Sequence, residues 1–332
     1  MNRPDDSAGP PPGAPGSPST GRPAALRGVY TIAPTPFTPD ERLDEESVAS
    51  LTRHLVAGGV DGITFLGFLG EAHKLTEAEQ DVVVTVAVQA AGGRVPVFAG
   101  ASTGGVRATV ERALRLVELG AAGLMVAPAS AEPGAVLAQF RALDEALAAS
   151  GGRVPLIVHD YPAATGVKVS AETLARLHDA VPSVTTVKLE DAPTGPKLSA
   201  LKRLASELSV LGGLGGLYLV EELGRGADGV MTGVSYPELL VGAVRGAAEP
   251  DPELRRHAWA EYRKAAAFLA FEFQPVVGLA VRKEVYRRRG AIAHATVRSP
   301  GAQLDEELAR ELTSQLEHLH AVRPDLAAVP TA

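Results

Sequence analysis

A single lysine stands inside the β-branched run Val184-Thr185-Thr186-Val187-Lys188-Leu189. That density of Val and Thr reads as a buried strand, where an ammonium group is costly unless it is paired or neutral. Turned inward near the strand end, the amine is partly desolvated, its pKa falls, and it can attack a ketone. The resulting Schiff base is an electron sink, so no cofactor and no metal is expected. Glu190 lies two residues on, on the same face, and either positions the amine and moves protons or forms a structural ion pair with it. A base titrating near neutrality is needed beside the nitrogen, and His159 in "VHDYP" suits it. Alternation turns Asp160 away, as a cap or brace, and returns Tyr161 to the His159 side, where its phenol could act as an acid. Lys188, His159, Tyr161 and Glu190 are the candidate catalytic residues.

These residues need a frame. From Leu26 the chain alternates short apolar runs, beginning with "GVYTIAP", "DGITFLG" and "VPVFAG", with helical patterns. Helix signals are explicit: acidic residues near Asp44 open one helix and Gly58-Gly59 close it, and Thr76 with Glu79 forms a capping-box pattern. Eight such runs separated by helices mean parallel βαβ units, which close most naturally into a (β/α)8 TIM barrel. The alternative, a doubly wound open sheet, lacks its Gly-rich phosphate turn after the first strand. Residues 26–248 are assigned to the barrel and 249–325 to a helical C-terminal extension. The Pro/Gly/Ser-rich stretch 1–25 reads as a disordered tail without a signal peptide's apolar core.

The 332 residues are 45% apolar with a net charge of −7, an ordinary globular composition that disfavours a nucleic-acid partner. No apolar run approaches the ~20 residues of a membrane span. There is no cysteine, which removes disulfides, thiolate metal sites and cysteine nucleophiles and fits a cytoplasmic protein. Histidines are scattered without metal-ligand spacing. In a (β/α)8 barrel the active site lies at the C-terminal ends of the strands. There stand Gly67, Phe68, Leu69, Gly70 and Glu71, whose turn can offer backbone N–H groups to a carboxylate, with Glu71 expected to bond the loop backbone. His73 follows as a helix-entry residue. Gly212, Gly213, Gly215 and Gly216 leave room for substrate, and Thr232, Ser235 and Tyr236 are candidate hydroxyl contacts.

The order "APTPF", "GFLGE", "HDYPAATG", the strand lysine, "GADGVMTG" and "VRSP" resembles the dihydrodipicolinate synthase and N-acetylneuraminate lyase superfamily. The resemblance runs from about Arg27 to the last helix and implies a (β/α)8 barrel whose sixth-strand lysine, here Lys188, forms a Schiff base with a 2-oxo acid. It adds Thr35 to the expected substrate contacts and implies a homotetramer. The departures are specific. Phe68 and Leu69 replace the loop's two hydroxyl residues, His159 replaces an acid–base tyrosine, Ala129 and Ser130 stand where a tyrosine reaches across subunits, and Ala164 replaces an arginine for an aldehyde's carboxylate. Dihydrodipicolinate synthase itself is therefore not expected. "HDYP" and "KLEDAPTGPKL" are similar to the L-2-keto-3-deoxyarabonate dehydratase branch, although "GEAHKL" is not, and the apolar Phe68-Leu69 lip suits a less hydroxylated substrate. The expectation is a Schiff-base lyase, a dehydratase of a 2-keto-3-deoxy acid. A pyruvate-dependent aldolase and a non-catalytic 2-oxo-acid-binding paralogue are the alternatives.

Overall fold

The structure, a computed structural model, describes residues 21–328. Most of the proposed N-terminal tail lies outside these residues. Eight parallel strands close into a barrel in chain order: β1 (Gly28–Ile32), β2 (Gly62–Phe65), β3 (Val97–Gly100), β4 (Gly123–Val126), β5 (Leu156–Asp160), β6 (Val184–Leu189), β7 (Ser209–Gly212) and β8 (Gly229–Thr232). Each coincides with one of the apolar runs. The signals for helix ends also hold: Asp44 accepts the Ser47 N–H, and Thr76 and Glu79 form a reciprocal capping box.

Alternation divides the barrel into two apolar layers. Tyr30, Ile32, Phe98, Met125, Ile157, Leu211 and Met231 fill the interior, and the intervening residues pack against the helices. The bottom is sealed by the incoming chain: Leu26 N–H donates to Thr186 Oγ1 at 3.2 Å, and Ser209 Oγ donates to the Leu26 carbonyl at 2.5 Å.

One irregularity positions the site. Between β5 and β6 the register skips a residue, so Leu156 opposes Val184 but Ile157 opposes Thr186. A one-residue slip reverses which face a side chain meets. The slip sets His159 opposite Lys188, and Lys188 in turn lies opposite the interior Leu211.

Helices after the last barrel helix (Pro237–Ala247) span Pro252–Arg263, Ala266–Glu272, Gly278–Arg288 and Glu306–Val322. They dock onto the C-terminal ends of the strands. Tyr286 Oη donates to the Val234 carbonyl at 2.7 Å, Tyr262 Oη to the Gly216 carbonyl at 2.7 Å, and the fully buried Lys283 donates to Glu71 Oε2 at 2.5 Å. No helix among the described residues is long and apolar enough to cross a membrane.

Candidate active site

Lys188, His159 and Glu190 meet at the C-terminal mouth of the barrel. Lys188 Nζ stands 3.1 Å from His159 Nε2 and 2.9 Å from Glu190 Oε2, and His159 Nε2 is 2.7 Å from the same oxygen. All three are at least 94% shielded from solvent, the Lys188 side chain included. Glu190 therefore belongs to the barrel mouth, because the strand face that carries Lys188 inward carries Glu190 too. Its other oxygen accepts the Leu214 N–H at 2.8 Å.

The triangle cannot satisfy every contact at once. His159 Nε2 either carries a hydrogen and donates to Glu190, or presents a lone pair to Lys188. In the first arrangement both cations-in-waiting point at Glu190; in the second the proton sits on the amine and the imidazole accepts. Moving one proton from Lys188 to Nε2 converts one into the other over a hydrogen-bond distance. Burial and the Lys188 charge lower the His159 pKa below its ordinary value, while Glu190 opposes them. Burial would raise Glu190, but Lys188 and the His159 hydrogen bond outweigh it and hold the carboxyl far below the usual range.

Aromatic rings cover the triangle. Tyr161 stacks on His159 with centroids 5.6 Å apart, and Phe68 lies 5.7 Å from His159 and 6.0 Å from Tyr161. Burial raises the Tyr161 pKa, so its phenol stays protonated at neutral pH. Phe68 is 48% exposed and forms the apolar lip. Asp160 points the other way, pairing with Lys197 at 2.6 Å and so bracing the helix Thr194–Leu204.

A cavity of about 340 Å³ opens here, lined among others by Gly67, Phe68, His73, Ser102, Arg112, Met125 and His159. That lies at the low end of the ~300–1,000 Å³ typical of small-molecule sites. Lys188 does not itself line it; the His159 ring does, with Lys188 behind it. His73, in the short helical turn Ala72–Lys74, lines the cavity as well. Ser102 and Arg112 were not apparent as site residues from sequence. Arg112 could have been: with Thr109, Ala113 and Leu116 it shares the inward stripe of the helix Val106–Glu118, an unusual place for a charge.

Several expected substrate contacts have other partners. Thr35 is fully buried and donates to the Gly70 carbonyl at 2.6 Å, tying down the Gly67–Glu71 turn. Glu71, in the left-handed region at φ 52°, receives Lys283, Lys74 at 2.9 Å and the Arg298 N–H at 3.1 Å. Burial lowers the Lys283 pKa to about 8 against the pull of Glu71. Leu69 packs against the interior cluster. Thr232 follows the interior Met231 and so faces outward, accepting the Gly215 N–H at 3.0 Å. Ser235 and Tyr236 are buried against the extension: Ser235 N–H donates to Glu272 Oε1 at 2.7 Å, and Tyr236 Oη bonds His320 Nε2 at 2.9 Å. Gly212 and Gly213 make room for carboxylates instead of substrate. A β-carbon at Gly212 would fall on Glu222 Oε2, and one at Gly213 would lie 2.6 Å from Glu190 Cδ. Burial raises Glu222 to about 7, and Thr194 Oγ1 donates to it at 2.5 Å. No cluster of His, Cys, Asp and Glu among the described residues could hold a metal ion.

Residues 25–319 match the model of the dihydrodipicolinate synthetase family. A 4-hydroxy-tetrahydrodipicolinate synthase of Sorangium cellulosum is 34% identical over 62% of this chain and 68% of its own length. The L-2-keto-3-deoxyarabonate dehydratase of Azospirillum brasilense is 29% identical over 86% of this chain and 92% of its own. A crystal structure of dihydrodipicolinate synthase from Rhodopseudomonas palustris superposes with a TM-score of 0.81 at 33% identity, covering 89% of this chain and 98% of that one.

Proposed function

The chain belongs to the dihydrodipicolinate synthetase family, and from that premise we propose that it is a Schiff-base lyase that dehydrates a 2-keto-3-deoxy acid. The contact of Lys188 with His159 and Glu190 at the barrel mouth carries this reading. Lys188 passes a proton to His159 Nε2 and its amine attacks the C2 ketone; the imidazolium then gives that proton to the carbinolamine hydroxyl, which leaves as water to give an iminium and a neutral imidazole. The neutral imidazole then takes a proton from C3, and the electron pair moves into the iminium as an enamine. The imidazolium, held against Glu190, returns a proton to the C4 hydroxyl, which departs as water when the enamine electrons move back. A second water releases the oxo acid from Lys188. Tyr161, stacked on His159, is the second acid within reach of the leaving group.

Dehydration is preferred to synthase chemistry because Ala164, in the short helix Pro162–Thr165, offers no cation to an aldehyde's carboxylate. The similarity to the Azospirillum brasilense dehydratase over nearly its whole length supports the same choice. The test is borohydride reduction in the presence of pyruvate and of longer 2-keto-3-deoxy acids, followed by mass spectrometry. The expected result is an adduct on Lys188, with a longer acid losing water and releasing no pyruvate. Aldehyde-dependent pyruvate turnover would make it an aldolase, and no adduct with any 2-oxo acid would leave a binding protein.

A further inference from the structure

The cavity beside His159 is larger than pyruvate needs, and its lining includes a cation that also borders the neighbouring cavity of Asp81, Glu111 and Arg115. Arg112 has no hydrogen-bond or ion-pair partner among the described residues, and its Nε is buried. Burial lowers even this guanidinium's pKa, an effect that Glu77 and Asp81 oppose through the field alone. An arginine drawn from water and left without a carboxylate is an incomplete recognition element, since its planar fork is shaped for bidentate pairing. Ser102 lines the same cavity. Its Oγ accepts the Ala127 N–H at 2.8 Å, which leaves the hydroxyl hydrogen free to donate. Gln80, also in the wall, has its amide committed to the Ala72 and Leu75 carbonyls and adds no donor of its own.

We propose that Arg112 and Ser102 form a subsite for a second carboxylate, at the end of the substrate remote from the ketone. This rests on the Schiff-base reading of Lys188 and narrows it: the substrate is a 2-oxo diacid. A monoanionic carboxylate fits better than a phosphate ester, because Glu77 lines the same cavity and repels additional negative charge.

The experiment compares trapping of 2-oxoglutarate and 2-oxoadipate with that of 2-oxopentanoate and 2-oxohexanoate, which match them in chain length but lack the second carboxylate. The wild type is expected to half-saturate with the diacids at a concentration lower by about tenfold or more, the worth of a charge-assisted hydrogen bond. Arg112→Gln should abolish that preference, and Arg112→Lys should retain part of it. Arg115→Gln, one turn on and already paired with Asp81, should leave it intact. If neither pyruvate nor any of the longer 2-oxo acids traps, the Schiff-base reading falls and this one with it. If pyruvate traps but the wild type shows no preference for diacids, or Arg112→Gln keeps the preference, the subsite alone is refuted. Tighter trapping of 2-oxo-4-phosphonobutanoate than of the diacids would overturn the assignment to a carboxylate.

Discussion

Replacing Glu190 by glutamine keeps the shape of the site and removes its one charge of opposite sign. Glu190 accepts at both ends: Oε2 from His159 and Lys188, Oε1 from the Leu214 N–H. An amide has one accepting end. Facing Leu214 with its NH₂ sets donor against donor; facing the other way, it withdraws the acceptor that His159 and Lys188 share. Either orientation forfeits at least one charge-assisted hydrogen bond of ~1.5–3 kcal/mol. It also strands a buried cation, for which the cost of a broken buried pair is ~3–5 kcal/mol. If ~3–4 kcal/mol of this is felt on the barrier, adduct formation slows by about 10²–10³-fold. The assay is the rate of borohydride-trapped adduct with saturating pyruvate, read by mass spectrometry across pH. The pH profile gives the sign. Burial and Lys188 lower the His159 pKa and Glu190 alone raises it, so the wild-type acid limb lies below the ordinary ~6.5. In Glu190→Gln that limb moves further to acid. Trapping within about threefold of wild type, or a limb displaced upward, refutes the triangle as the proton-handling unit.

Gly213→Ala tests the same carboxylate sterically, since its β-carbon would displace Glu190; we expect trapping to fall as in Glu190→Gln while circular dichroism at fixed concentration stays unchanged. The buried pair Glu71–Lys283 anchors the site loop to the extension, so Lys283→Met should cost ~3–5 kcal/mol. In a double-mutant cycle with Glu71→Leu the two changes should be non-additive, the double costing less than the sum of the singles although Lys74 and the Arg298 N–H also lose Glu71, and strictly additive urea unfolding energies refute the pairing argument. His54 is buried with an unpartnered Nε2, and burial lowers its pKa to about 4. Between the ordinary ~6.5 and 4 the unfolded chain binds a proton that the folded one does not, so stability falls with falling pH, by about 2 kcal/mol at pH 5. His54→Phe should lose correspondingly less than wild type between pH 7 and pH 5 in urea midpoints.

The strands and their closure were legible because each strand is a short β-branched run and each helix carries its own end signals, as at Asp44 and Thr76. The inward face of Lys188 followed from the cost of the alternative; alternation placed Glu190 on the same face but left open whether it was buried. The extension defeated the same reasoning. Ser235 and Tyr236 sit where substrate contacts belong in a barrel, but which loops lie open depends on where the C-terminal helices dock, and Thr232, Gly212 and Gly213 are lost instead to an outward strand face and to the carboxylates of Glu222 and Glu190. That docking is made by contacts such as Tyr286 to Val234 and Lys283 to Glu71, far apart in sequence and without local periodicity. Glu71 shows the consequence. Its place beside the turn suggested a bond to loop backbone, and the structure gives it one backbone N–H and two lysines, one of them from the extension.

The loss of the two loop hydroxyls has a physical corollary. With Phe68 and Leu69 in their place, no side-chain hydroxyl of that turn can carry protons between the amine and water. In the proposed mechanism proton traffic falls to His159, which touches Lys188 on one side and the cavity on the other. An imidazole suits that duty better than the phenol that the family resemblance places there, since a phenol near its ordinary ~10 is a poor acceptor from an amine at neutral pH. Glu190 completes the exchange: its charge stabilises the imidazolium that a phenol would never form. On the proposed mechanism, Phe68, Leu69 and His159 together form one change in how a proton reaches the buried lysine, and the cavity is built against the same ring.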